Sequence, residues 1–118
     1  MKLLLSDRAL IDVQLCLDWS ATVFGVDAAR RYAELINVAI EDLVANPNPA
    51  EAEGHPELFP IKLYHLRHSR KRAPVEGLIV KSPRHFIAYR VLEDDALEVL
   101  RILHDSMNIE EHLLEEGS

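Results

Sequence analysis

Apolar residues follow two different periods along the chain, and the period changes near residue 60. After a short apolar start, KLLLS, they recur every three or four positions, as on one face of a helix. Beyond a proline-rich stretch, apolar and polar residues instead alternate in short runs, as in half-buried strands. This order predicts an α+β domain, β-α-α-β-β-β(-α), in which an antiparallel sheet packs against a two-helix hairpin.

The amino-terminal half is predicted to be a strand at residues 2–6 followed by a helical hairpin at 7–46. Ser6 is of a type that caps helix amino termini, Gly25 is a natural stop for the first helix, and Asp27 is predicted to cap the second. About two residues separate the helices, which predicts that they run antiparallel.

The first predicted helix carries two adjacent apolar stripes, and the second carries one. The stripes are Leu10, Val13, Leu17 and Phe24, then Ile11, Leu15, Trp19 and Val23, and on the second helix Ala29, Tyr32, Ile36, Ile40 and Leu43.

The carboxy-terminal half is predicted to contain a loop, antiparallel strands and a short helix. The loop, residues 47–60, has four prolines and no periodicity. The strands lie within residues 61–104, and a short helix at 108–114 is opened by Asn108 with Glu111. The strands are IKLYHLRH, GLIVK, RHFIAYRVL and LEVLRILH.

The register of the last two strands depends on the length of the turn EDDA that joins them. A loop of two or four residues pairs positions whose numbers sum to 189, whereas a three-residue loop breaks this register. In the 189 register Arg90 and Arg101 are diagonal neighbours on one face, beside Phe86 and Leu103.

Two guanidinium groups so close together require an anion. One interpretation is an internal carboxylate from the first helix, Asp12 or Asp18. The other is an external anion, either the acidic and apolar segment of a partner protein or an RNA phosphate. The residues alone leave both interpretations open.

Composition and charge narrow the functional class. The 118 residues carry a net charge of −7, yet residues 61–90 hold eight basic residues and one acid, which favours a positive surface for an anionic partner. The single Cys16 cannot form an internal disulfide, and we find neither a signal peptide nor a membrane span, so we expect a cytoplasmic protein. The chain shows no metal-binding cluster and no phosphate-binding glycine loop, and we expect neither a metal nor a cofactor.

On the opposite face of the hairpin, His85 and His104 are a possible proton-transfer pair with Tyr89. The alternative is that both histidines are structural residues bonded to the backbone.

Sequence segments in the carboxy-terminal half resemble those of a known protein family. SPRHFIAYRV, followed by an acidic turn and LEVLRILHDSMNIEEHL, resembles the RelE/ParE superfamily of type II toxin–antitoxin toxins. LYHLRHSR is similar to one branch, and the strand and helical hairpin before it agree in order, so the resemblance covers nearly the whole chain. It implies the same fold as the pattern predicts.

The resemblance also implies one of two mechanisms. RILHDSMN looks more like the ParE branch, whose members inhibit DNA gyrase without enzymatic activity. The other branch cuts messenger RNA on the ribosome and usually has an arginine where this chain has Phe86. An endoribonuclease would use His85, Tyr89, His104, Arg84 and Arg101 and remains the alternative. A second alternative is a non-toxic module that only binds an antitoxin.

The partners implied by the resemblance are a cognate antitoxin, forming a hetero-oligomer, and DNA gyrase. No membrane partner and no direct DNA binding without the antitoxin are expected. Predicted antitoxin contacts are Phe86, Arg90, Arg101 and Leu103, and predicted target contacts are His104, Asp105, Met107 and Asn108.

Overall fold

A five-stranded sheet with a helical hairpin on one face forms the core of the computed structural model, which describes residues 1–116. Its elements are β1 (Lys2–Leu5), α1 (Asp7–Phe24), α2 (Val26–Ala45), β2 (Glu53–Gly54), β3 (Lys62–His65), β4 (His85–Leu92), β5 (Ala96–His104) and α3 (Ile109–Glu116). The strand order is β1-β5-β4-β3-β2. The α+β prediction is confirmed, with one addition: β1 runs parallel to β5, while the other pairs are antiparallel.

Each face of the sheet buries its own apolar cluster, because successive side chains of a strand point to opposite faces. Ile87 and Tyr89 of β4 pack with the helical hairpin, whereas Ala88 between them belongs to the second cluster. The second cluster is covered by α3 and by a 3₁₀ turn at Pro56–Leu58. None of the helices within residues 1–116 combines the length and apolarity that crossing a membrane would require.

The ends of α1 are set by two residues that the sequence pointed to. The Ser6 hydroxyl oxygen accepts a hydrogen bond from the Ala9 N–H at 3.0 Å and donates one to the Leu100 carbonyl at 2.6 Å. Gly25, at φ 96°, ends α1 and also precedes the first residue of α2. The prediction that Asp27 caps α2 is therefore wrong, since Asp27 lies within its first turn.

The β4–β5 hairpin uses two registers. Its turn, residues 93–95, has three residues, and near it Arg90 pairs with Glu98 and Tyr89 with Val99 rather than with the residues predicted. A bulge at Leu100 then adds one residue to β5. Beyond the bulge the 189 register holds, so residues 85–88 pair with 101–104 as predicted.

The predicted strand GLIVK does not form. Glu76 and Gly77 have positive φ values of 52° and 81° and form a tight turn. The backbone N–H and carbonyl groups of Val75 and Leu78 form hydrogen bonds with each other across this turn. The segment after this turn lies beside the helical hairpin, where the half-buried Val80 packs on the helix-side cluster. The apolar residues of this segment therefore line a groove on the protein surface and do not form a strand.

Candidate functional site

Arg101 is paired within the molecule. Its guanidinium donates to the Asp12 carboxylate, from Nε at 2.7 Å and from Nη2 at 3.1 Å, and its exposed fraction is 8%. Asp12 also accepts the Ile102 N–H at 2.9 Å, at a point where β1 has already ended at Leu5 and leaves this edge of β5 unpaired. The internal-carboxylate interpretation is confirmed for Arg101.

Arg90 is also paired within the molecule. The three-residue turn places Glu98 directly opposite Arg90, and the two side chains form an ion pair of 2.7 Å. The interpretation in which an external anion neutralises both guanidinium groups is wrong, because Glu98 pairs with Arg90 and Asp12 pairs with Arg101.

The apolar residues of the predicted antitoxin surface are covered by this chain. Leu103 has an exposed fraction of 1% and belongs to the cluster that contains Leu113 of α3. Phe86 is half-buried against the same cluster. The predicted antitoxin contacts therefore do not form one open surface, and their role in binding remains a prediction.

Three of the five candidate nuclease groups lie together, and two lie elsewhere. His85 pairs with His104 across the hairpin, and Arg84 precedes His85. Tyr89 is fully buried, its hydroxyl donates to the Pro47 carbonyl at 2.8 Å, and burial raises its pKa to about 12. Arg101 is held by Asp12.

His85 has a partner that the sequence did not indicate. The Tyr32 hydroxyl of α2 and His85 Nδ1 share a hydrogen bond of 2.6 Å, and the His104 ring lies edge-on with its centroid 5.2 Å away. Burial, and secondly the proximity of His104, lower the pKa of His85 to about 4, so its ring is neutral near pH 7. The Cys16 sulfur lies 4.0 Å from His85 Nδ1, and burial raises the pKa of this thiol to about 11, which disfavours a nucleophilic role.

Asp105, which follows β5 directly, links Arg84 and His65. It accepts hydrogen bonds from Arg84 Nε at 2.9 and 3.1 Å and contacts His65 Nε2 at 3.1 Å. The hydrogen bonds from Arg84 are the main cause that lowers the Asp105 pKa to about 2. Of the other predicted target contacts, Met107 is exposed and Asn108 accepts the Glu111 N–H at the start of α3.

A groove of about 810 Å³ opens beside the histidine pair, between the helical hairpin and the segment that follows the Glu76–Gly77 turn. We call it the basic groove, because its wall contains Arg31, Lys81 and Arg84 and no carboxylate. The other lining residues are Cys16, Trp19, Ser20, Phe24, Ala28, Tyr32, Leu78, Ile79, Val80, Ser82, His85 and His104.

The outer side of α1 is apolar and exposed. Residues Ile11, Leu15, Trp19 and Val23, spaced by four, form what we call the α1 face, and each has an exposed fraction above half. The Trp19 and Phe24 rings meet edge-on at 5.5 Å where this face reaches the basic groove. In the other stripe that the sequence shows on this helix, Val13 and Leu17 pack on the core, whereas Leu10 and Phe24 are more than half exposed.

Comparison with known proteins identifies the family. No curated protein matches the sequence, but the family described as ParE toxin of type II toxin–antitoxin system, parDE, matches residues 3–109. The chain belongs to the ParE toxin family. The similarity to the ParE branch that RILHDSMN indicated is confirmed.

A solved structure supports the fold of this ParE-family chain. A chain from the chromosomal ParDE TA system of P. aeruginosa superposes with a TM-score of 0.60 at 17% identity. The alignment covers 88% of this chain and 95% of that one. At this identity the likeness concerns the fold.

The groove residues on the hairpin were missed as site residues for a physical reason. Tyr32 of α2 contacts His85 of β4, 53 positions away, and Arg31 lines the same groove; no local spacing signals such an arrangement. One signal was present in α1: two adjacent apolar stripes make more apolar surface than one helix buries against one sheet.

Proposed function

We propose that this ParE-family protein is the toxin of a type II toxin–antitoxin pair that inhibits DNA gyrase in the bacterial cytoplasm and is neutralised by a cognate antitoxin. The family match over residues 3–109 supports the toxin assignment. The inhibition is non-enzymatic in this proposal, and the end of β5, with His104, Asp105, Met107 and Asn108, is the proposed contact with gyrase.

The non-enzymatic part of this proposal is supported by the contacts of two candidate nuclease groups, Tyr89 and Arg101, which are bonded within the fold. Cleavage of RNA needs a base, an acid and cations on the phosphate within reach of one another. The Tyr89 hydroxyl is instead bonded to the backbone of Pro47, and Arg101 is neutralised by Asp12. Phe86 stands where the nuclease branch has an arginine, and it has no charge to offer a phosphate.

The need for an antitoxin is supported by the α1 face. Exposed apolar patches of this extent on small proteins mark interaction sites. Leu10 and Phe24 widen the patch, with exposed fractions above half. A polypeptide that covers α1 would remove this surface from water.

Induction of the gene in a bacterial host tests the proposal. We expect growth arrest when the chain is expressed alone, and normal growth when the neighbouring small reading frame is expressed with it. The Tyr89→Phe variant removes a hydroxyl that the nuclease alternative would need and keeps the core packing, so it is expected to arrest growth equally. Unimpaired growth would instead favour the non-toxic binding module and contradict the toxin.

The endoribonuclease remains the second candidate, because His85, His104 and Arg84 do lie at one end of the hairpin. Primer extension on translated messages after induction separates it from a gyrase inhibitor. We expect no new 5′ ends within codons. If such ends appear and are lost in a His85→Gln variant, the protein is a nuclease and the proposal is wrong.

A further inference from the structure

The basic part of the chain gathers on two short turns at one side of the sheet. Residues 61–90 carry eight basic residues and one acid, Glu76, whose carboxylate lies 3.9 Å from Arg30 of α2. Four of the eight cations lie on two consecutive 3₁₀ turns directly after β3, at Leu66–His68 and Arg70–Arg72. Two strands separate β3 from β1, so these turns lie away from the β1 edge of the sheet.

Three of these four cations form no ion pair with any side chain in residues 1–116. Arg72 pairs with Asp42 of α2, but Arg67, Arg70 and Lys71 have no carboxylate within ion-pair distance. The Arg67 and Lys71 side chains are also exposed. This part of the surface is therefore positive on a molecule whose net charge is −7, and it attracts an anion.

Buried hydrogen bonds hold the two turns in place. Ser69, which lies between them, is fully buried, and its hydroxyl donates to the Asp42 carboxylate at 2.6 Å and shares a bond of 2.8 Å with the Tyr64 hydroxyl. The Arg70 guanidinium donates to the Lys81 carbonyl, which brings a fourth cation beside the second turn. The cations therefore project from a fixed backbone, which lowers the entropic cost of binding an anion.

We call Arg67, Arg70, Lys71 and Lys81 the 3₁₀ surface. It offers charge without an apolar anchor, since none of the large apolar residues between Phe59 and Leu78 is exposed. Protein segments dock mainly through buried apolar and aromatic anchors. This surface therefore fits a polyanion better than an acidic polypeptide.

The same region also has no aromatic platform for a nucleic acid base. Tyr64 is the only Phe, Tyr or Trp in residues 60–84, and it is buried. Single-stranded nucleic acids bind largely by stacking their bases on such rings. A duplex instead presents its phosphates outward, with one charge per about 1.7 Å of helix axis in DNA, and cations alone are sufficient to contact it.

The 3₁₀ surface is continuous with the proposed gyrase contact. Asp105, which belongs to that contact, lies 3.1 Å from His65 Nε2. The backbone N–H of Arg67 donates to Nδ1 of the same ring at 3.1 Å. One histidine therefore connects the end of β5 with the first 3₁₀ turn, and a molecule bound at the end of β5 would bring its own DNA close to the cations.

We infer that the 3₁₀ surface binds the phosphate backbone of duplex DNA, and that the toxin uses this contact on the DNA segment that gyrase holds. The second part rests on the proposed function. Because the net charge is −7, we expect the protein alone to bind DNA only at low salt. When gyrase holds both the protein and the DNA, the contact becomes intramolecular, and a weak affinity is sufficient.

Fluorescence anisotropy with a labelled duplex of roughly 20 base pairs and mixed sequence measures the contact directly, and we expect binding that weakens steeply with added salt. The variant R67E/K71E is expected to weaken binding about tenfold or more and to lower the slope of log K against log salt by about 2. The matched control K2E/R8E makes the same change in net charge at the β1 edge. It is expected to change the affinity less than about threefold, and circular dichroism verifies the fold of both variants.

The same variants test the use of the surface on gyrase. In a supercoiling assay, R67E/K71E is expected to need about tenfold more protein for half inhibition than the unaltered chain or K2E/R8E. All three proteins are expected to bind the antitoxin equally, because the substituted residues lie outside the basic groove and the α1 face.

The outcomes separate this inference from the function it depends on. If the duplex does not bind at low salt, or if R67E/K71E and K2E/R8E bind it equally, the inference is wrong. Tighter binding of single-stranded RNA, or equal binding of polyglutamate, would contradict the choice of duplex DNA.

The gyrase assay distinguishes the two parts. If R67E/K71E inhibits gyrase as strongly as the unaltered chain does, the use of the surface on gyrase is wrong and the toxin assignment is unaffected. If the unaltered chain binds duplex DNA through this surface and does not inhibit gyrase, the DNA contact is confirmed and the proposed function is wrong.

Discussion

Asp12 of α1 and Arg101 of β5 form a buried ion pair, with 2.7 Å between Oδ2 and Nε. The pair joins the helical hairpin to the sheet at the point where β1 has ended, and the same carboxylate accepts the N–H of Ile102. Asp12 therefore has two roles. Its carboxylate accepts a backbone N–H of β5 that a neighbouring strand would otherwise bond, and it is the counter-ion of Arg101. This arrangement gives Arg101 a structural role.

Asp12→Asn is expected to lower the free energy of unfolding by about 3 kcal/mol, because it leaves a buried guanidinium without its carboxylate. The control is Asp18→Asn on the exposed side of the same helix, with an expected change below about 0.5 kcal/mol. Urea denaturation measures both. Equal and small losses would show that Arg101 is satisfied without Asp12.

The docking of α3 on the second apolar cluster predicts unequal costs for two neighbouring leucines. Leu113 is fully buried and Leu114 is half exposed. We expect Leu113→Ala to cost about 2–5 kcal/mol of unfolding free energy. Leu114→Ala is expected to cost less than about 0.5 kcal/mol. If the two variants unfold at the same denaturant concentration, α3 does not cover Leu103 in solution.

The His85 ring is expected to stay neutral down to low pH. Burial lowers its pKa from 6.5 to about 4, so between these values the unfolded chain binds the proton more readily than the folded one. Stability therefore falls as the pH drops from 6.5 towards 4. Titration of the histidine ring carbons by NMR measures this directly, and a His85 midpoint near 6.5 would show that the ring is not buried.

Asp105 contributes in a lower pH range. Its pKa is lowered from 3.8 to about 2, chiefly by the Arg84 hydrogen bonds, so its stabilising effect is complete above 3.8 and is lost as the pH falls towards 2. Asp105→Asn is expected to reduce the loss of stability across this window. Asp94→Asn, which removes a carboxylate from the exposed turn, serves as the charge-matched control. Parallel acid-unfolding curves for Asp105→Asn and the unaltered protein would contradict the assignment.

Local sequence signals predicted most of the order of helices and strands. The structure differs from the prediction where contacts between distant residues determine the conformation. Ser6 and Gly25 marked the ends of α1 because capping depends on the nearest residues. The segment GLIVK has the composition of a strand, yet the turn at Glu76–Gly77 and the space beside the helical hairpin determine where it packs.

The candidate site was only partly predictable for the same reason. The pairing of His85 with His104 was predicted for a turn of two or four residues, and it holds because the bulge at Leu100 compensates for the three-residue turn. The positions of Arg90 and Arg101 were not, since a three-residue turn and one bulged residue, Leu100, reassign the side chains around them. Tyr32 and the basic groove depend on packing of α2 beside β4, which leaves no pattern in the sequence.

The most direct test of the proposed function is a supercoiling assay with purified DNA gyrase, relaxed plasmid and ATP. We predict that the folded protein inhibits supercoiling at micromolar concentration, and that prior addition of the antitoxin restores it. The Leu15→Asp variant, altered on the α1 face, is predicted to inhibit gyrase in the same way and to escape the antitoxin. Full supercoiling in the presence of excess folded protein would contradict the account.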